Sequence, residues 1–87
     1  MSRQFYMITV RFFASLREAV GMSDLEFQLQ NESCVEDLLV TLSQQGENWT
    51  ALLESDVLVA VNQTLSSKSA SIKDSDEVAF FPPVTGG

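Results

Sequence analysis

Residues 35 to 42 constrain the fold most strongly. Val35, Leu38, Leu39 and Leu42 recur at i, i+3, i+4 and i+7, a spacing that lines four apolar side chains along one side of an α-helix. Ser33-x-x-Glu36 ahead of them fits a capping box, and Glu36 and Asp37 fall in the first turn, where the helix dipole favours negative charge. Gly46 is expected to end the helix. The chain has no second stripe of this length. A lone helix with one apolar side must bury it on something broader, and the flanking segments supply a sheet.

Ile8, Val10 and Phe12 alternate with Met7, Thr9 and Arg11, the period-2 signature of a half-buried strand. Leu25, Phe27 and Leu29 alternate in the same way with Glu26, Gln28 and Gln30. Between these strands Ser15-Leu16-Arg17-Glu18 fits a second capping box and Gly21 a left-handed stop, so the pair is expected to be a hairpin with one or two helical turns inserted. Beyond the main helix, Trp49, Leu52 and Leu53 keep helical spacing for a further turn and are expected to share a face, with Trp49 as a lid on the helix. Leu58 to Val61 is short and β-branched, a buried strand. Asn62 to Ser71 is polar and reads as turns with a short edge strand, Ile72 to Asp76 as a turn, and Glu77 to Phe81 as the last strand. The order β, β, α, β, β predicts an α+β fold: a β-grasp, or ubiquitin-like, mixed sheet with one main covering helix and short helical turns, its first and last strands side by side.

At 87 residues the chain has room for one domain, residues 1–87. A formal charge of -7 repels phosphate backbones and anionic headgroups, so neither nucleic acid nor a membrane surface is an expected partner. The longest apolar run, Val57 to Val61, is five residues, against the roughly 20 that a spanning helix needs. No secretory leader is legible, and a cytoplasmic location is expected. With no histidine the commonest general base and metal ligand is missing, and the acidic groups Glu32/Glu36/Asp37 and Asp74/Asp76/Glu77 lack the spacing and central glycine of a calcium loop, so no metal site is expected. Cys34, placed one residue past the Ser33 cap, is read as a small residue filling a gap. Asn48-Trp49-Thr50 and Asn62-Gln63-Thr64 match the glycosylation triplet by coincidence in a chain without a secretory route.

The terminus is more specific. Gly86 and Gly87 end the chain after Val84 and Thr85, and a Gly-Gly end arises by chance in about one chain in 200. Two residues without Cβ make the thinnest peptide available and reach backbone angles closed to others. Pro82-Pro83 upstream cannot donate to a ladder and so ends the sheet, launching residues 82–87 as a flexible tail. From Pro83 to Gly87 that tail can extend about 15 to 18 Å, enough to enter a partner's active site.

Val61-Asn62-Gln63-Thr64, the run from Asp76 through Phe80-Phe81-Pro82-Pro83-Val84-Thr85-Gly86-Gly87, and the opening Val10-Arg11-Phe12-Phe13-Ala14 with Leu16-Arg17-Glu18 together resemble the MoaD family, the small subunits of molybdopterin synthase. The resemblance covers Met7 to Gly87 and leaves residues 1–6 as an N-terminal extension. It implies a ubiquitin-like sulfur carrier. A MoeB-like enzyme would adenylate Gly87 with ATP, and the product would become a thiocarboxylate. The tail Val84, Thr85 and Gly86 would then thread the channel of a MoaE-like large subunit, in a heterotetramer of two small and two large subunits, to deliver sulfur to a pterin precursor of the molybdenum cofactor. The chain carries neither G-x-x-x-x-G-K-[ST] nor G-x-G-x-x-G, so no bound cofactor is expected and the nucleotide belongs to a partner. On this reading the chain is a sulfur-donating subunit with no catalytic residues of its own. Two other readings stand beside it: a carrier for another pathway, such as thiamine or a thiolated metabolite, and a non-covalent adaptor whose tail is inert.

Alternation along the last strand sends Val78 and Phe80 one way and Ala79 and Phe81 the other. With the helix over Val78 and Phe80, Phe81 lies on the open face. Together with Pro82 and Pro83 it is the expected grip for a partner that must aim the tail.

Overall fold

The computed structural model describes residues 6–29, 33–53 and 57–82. Residues 1–5, Gln30, Glu32 and the tail from Pro83 to Gly87 lie outside them. Strand β1 (Tyr6–Phe12) and strand β2 (Asp24–Leu29) pair antiparallel around helix α1 (Ala14–Val20), as the alternation predicts. Strand β3 (Ser33–Cys34) leads into helix α2 (Val35–Ser43) and a 3₁₀ helix (Glu47–Leu53), followed by β4 (Leu58–Val61), β5 (Thr64–Ser66), β6 (Ser71–Ile72) and β7 (Glu77–Phe81). The main sheet runs β2-β1-β7-β4-β5, with β1 and β7 parallel at its centre and the other neighbours antiparallel, while β3 and β6 form a small ribbon. This mixed sheet under one main helix is the β-grasp arrangement.

The core gathers alternate residues of the central strands and the stripe of α2. Ile8, Val10, Phe12, Val59, Val78 and Phe80 from the sheet meet Val35, Leu38, Leu39 and Leu42 from the helix, all buried. Phe12 stacks on Phe80 with ring centroids 6.3 Å apart, and Trp49 meets Phe12 edge-on at 5.5 Å. Trp49 therefore closes the core as a lid. Its partner on the 3₁₀ helix is Leu52 alone, because a 3.0-residue period eclipses i and i+3 and turns Leu53 out to 50% exposure. The expected shared face of Leu52 and Leu53 is not formed.

Neither capping box forms as read. Helix α2 opens at Val35 with Cys34 as its N-cap, since Ser33 and Cys34 are extended and paired with Ile72 and Ser71. Carbonyls from a distant loop take the first free amides: Val35 N–H donates to Ala70 O at 3.0 Å and Glu36 N–H to Lys68 O at 2.8 Å. Helix α1 begins at Ala14, one residue before Ser15. The sheet ladder persists through Phe13, whose N–H donates to Phe80 O at 3.1 Å, and Phe13 is the N-cap. The chain then turns through Ala14 at φ 54, a left-handed conformation that a non-glycine residue rarely adopts. Gly21 ends α1 as expected, left-handed at φ 82 with its N–H on Arg17 O. Helix α2 stops at Ser43, before Gly46, and Gln44 remains right-handed. Ile72, assigned to a turn in the sequence, pairs with Ser33 and is fully buried; the turn occupies residues 73–76.

Candidate functional site: the open sheet face at the root of the tail

Strand β7 is the last element before the tail, so the side chains around its end are those that any partner of the tail meets first. Val78 and Phe80 are fully buried under the helix, which turns Glu77, Ala79 and Phe81 to the opposite, uncovered face. The facing inferred from the sequence holds. Phe81 itself is half-buried rather than open, because the ring of Phe13 stands edge-on to it with centroids 6.5 Å apart at 76°. Phe13 is 45% exposed. Its place on this face depends on the ladder bond to Phe80 O and the left-handed turn at Ala14.

The register extends the patch across two further strands, β4 and β5. Leu58 lies opposite Phe81, and Ala60 opposite Ala79 on one side and Leu65 on the other. Leu65 is 67% exposed. The row beside the tail is therefore apolar from β1 to β5, through Phe13, Phe81, Leu58, Ala79, Ala60 and Leu65. Sequence reading placed Phe81 here and missed Phe13 and Leu65. Both signals were present, in Phe13 two places beyond exposed Arg11 and in Leu65 one residue past a two-residue turn.

That turn is built to hold Leu65 in place. Asn62 and Gln63 both have positive φ, 52 and 70, the type I′ geometry that matches strand twist. Asn62 ties it to β7: Nδ2 donates to Asp76 Oδ1 at 2.9 Å, Oδ1 accepts from Glu77 N–H at 2.9 Å, and the backbone N–H donates to Glu77 O at 2.7 Å. The glycosylation triplet at Asn62 thus starts with an amide already used to position the sheet edge.

Other sequence candidates sit away from this face or are used internally. Cys34 is the N-cap of α2 rather than its first helical residue, half-buried, with Sγ donating to Asp37 Oδ2 at 3.4 Å. Asp74 Oδ1 accepts from Met7 N–H, and Asp76 Oδ2 from Lys73 N–H. Among the described residues no group of three or more His, Cys, Asp or Glu side chains is placed to hold a metal ion. No helix among them is long and apolar enough to cross a membrane. Pro82 is described and half-buried, whereas Pro83, Val84, Thr85, Gly86 and Gly87 lie beyond the described residues. The patch offers apolar contact area with no nucleophile or acid in its apolar row, so its chemistry is recognition.

Comparison with known proteins gives this face a context. The chain matches the ThiS family over residues 10–87. It is 48% identical to the molybdopterin synthase sulfur carrier subunit of Escherichia coli and 42% identical to that of Haemophilus influenzae, in each case over 93% of this chain and all of the relative. Among solved structures it resembles a Haloferax volcanii protein determined in solution, with a TM-score of 0.83 and 28% identity, covering all of this chain and 92% of that one. It also resembles a chain in the complex of subunits 1 and 2 of the molybdopterin-converting factor from Helicobacter pylori, with a TM-score of 0.60 and 27% identity, covering 93% and 99% of the two chains. A match that runs to the last glycine, with relatives above 40% identity along their whole length, makes this chain a member of the ThiS/MoaD family.

Proposed function

We propose that this chain is the sulfur carrier subunit of molybdopterin synthase, acting in the cytoplasm. The observation that carries the reading is the apolar face at the root of a Gly-Gly tail, in a chain 48% identical to a curated carrier of that name. A carboxylate is a poor electrophile because its charge is delocalised, so Gly87 is first joined to AMP as a mixed anhydride by a MoeB-like enzyme, with ATP consumed and pyrophosphate released. A sulfur donor then displaces AMP and leaves a terminal –COS⁻. That soft nucleophile attacks an electrophilic carbon of the pterin precursor in a MoaE-like large subunit, a C–O bond at that carbon breaking as the C–S bond forms, and hydrolysis of the resulting thioester leaves sulfur on the product and returns the carboxylate. Every bond is made in a partner's active site, and the carrier's own task is to present Gly87 at a set distance.

The residues follow from that task. Gly86 and Gly87, with Val84 and Thr85, thread the channel, and Pro82 and Pro83 stiffen its mouth. Phe81, with Phe13 and Leu65, is the grip that fixes the body while the tail reacts. The complex of subunits 1 and 2 from Helicobacter pylori supports a large subunit as the partner and, by the family pattern, a heterotetramer of two small and two large subunits. Deleting Gly87, or adding one residue after it, tests the reading: thiocarboxylate formation should be abolished with thermal unfolding unchanged. A sulfur-charged product from either variant would overturn it.

A further inference from the structure

Among the described residues Ala14, Asn62, Gln63 and Ser75 have positive φ without being glycine. Asn62 and Gln63 form the two-residue hairpin turn that such angles suit. Ser75 is the third residue of a turn closed by Asp76 N–H on Lys73 O, the position where a type II turn requires a positive φ. Ala14 has no such reason. It lacks the freedom of glycine and the short polar side chain with which asparagine eases a left-handed backbone, and it is exposed rather than packed in the core. Strain of this kind persists only where the surroundings hold it, and it gathers at functional positions. Its effect here falls on Phe13. The Phe13 N–H donates to Phe80 O at 3.1 Å, one residue past the paired run of β1 and β7, while its carbonyl accepts from Leu16 N–H at 3.2 Å and Arg17 N–H at 3.4 Å. Phe13 is extended, at φ -125 and ψ 151, and the chain is helical beyond Ala14, so the change of course is made at Ala14 alone. Both backbone polar groups of Phe13 are thereby pinned, one to the sheet and one to the helix, although the residue is 45% exposed with its ring edge-on to Phe81.

We propose that Ala14 is a positioning residue for docking: its left-handed backbone, restricted by the methyl group, fixes Phe13 beside Phe81 before the large subunit arrives. This corner is then ordered by folding rather than by binding, which favours association. The inference rests on the carrier reading above, and Ala14 acts through Phe13. A turn needed only to carry Leu16 and Val20 into the core would be served as well by glycine, which reaches the same angle without strain. A turn that must also hold Phe13 still is served better by a residue with a Cβ.

The test is calorimetric binding of the purified large subunit to the full chain carrying Ala14→Gly, which keeps the angle and frees the backbone, or Ala14→Asn, which tolerates the angle and keeps a Cβ. Each is measured with Phe13 present and in a Phe13→Ala background, well below the unfolding temperature. Ala14→Gly should bind about 3- to 5-fold more weakly, the scale of one glycine's added backbone freedom, while unfolding within a few degrees of the unmodified chain. Ala14→Asn should bind within about twofold of the unmodified chain. In the Phe13→Ala background the loss from Ala14→Gly should vanish, because the two residues act as one unit. Unchanged binding by Ala14→Gly, an equal loss from Ala14→Asn, or a loss that persists without the Phe13 ring would each overturn the proposal and leave the carrier reading intact. An Ala14→Gly chain too unstable to titrate would overturn it as well, since the methyl group would then serve the fold. If the unmodified chain does not bind the large subunit, the carrier reading falls and the proposal with it.

Discussion

Phe80 and Phe81 are adjacent in sequence and opposite in consequence. Phe80 is fully buried against Phe12, so Phe80→Ala should cost about 3 to 5 kcal/mol of folding stability, the transfer and cavity cost of a buried aromatic. Phe81 touches Phe13 on the uncovered face, so Phe81→Ala should weaken binding of the large subunit by about 1 to 3 kcal/mol with little effect on unfolding. Calorimetric titration and thermal unfolding of the two variants separate the effects, and an inverted result would reverse the facing of β7 assigned to the docking surface. Gln63 is a second informative residue. It holds φ 70 without the freedom of glycine, in a turn where Asn-Gly is the favoured pair. Gln63→Gly should therefore raise stability by about 0.5 to 1 kcal/mol, read as a higher denaturant midpoint at an unchanged slope. A lower midpoint would contradict the strain assigned to this position.

At the scale of elements, the strands were legible because alternation is a local signal. Ile8, Val10 and Phe12 announce β1 without reference to anything else, and Glu77 to Phe81 announces β7. The helix starts were not legible in the same way. What caps α2 is the carbonyls of Lys68 and Ala70, more than thirty residues later, and what sets the start of α1 is a ladder bond from Phe13 to Phe80. Ser15 and Ser33 fit a local motif that these long-range bonds displaced. Ser15 consequently lies inside α1, exposed, and Ser15→Ala should leave stability within about 0.5 kcal/mol of the unmodified chain. A loss of about 1 kcal/mol or more on chemical denaturation is what a capping serine would give, and would contradict the observed start. The candidate site was half legible for the same reason. Phe81 follows from alternation in one strand, whereas its contact with Phe13 follows from the parallel pairing of β1 and β7, a relation between the two ends of the chain.

The molecule as a whole combines a five-stranded sheet, one face of it uncovered among the described residues, a charge of -7 and a Gly-Gly end. Its summed field should speed encounter with a basic docking surface, so the association rate with the large subunit should fall as salt screens the charge. Stopped-flow mixing at low and physiological salt reads this directly, and an unchanged rate would remove electrostatic steering while leaving the carrier role intact. The carrier role itself has a more direct test. Intact-mass spectrometry of the chain, isolated from cells in which molybdenum cofactor synthesis is active, should show a population heavier by the difference between one sulfur and one oxygen atom, with fragmentation placing the added mass on Gly87. A chain that carries an unmodified carboxylate throughout, in cells whose adenylating enzyme is working, would contradict the account.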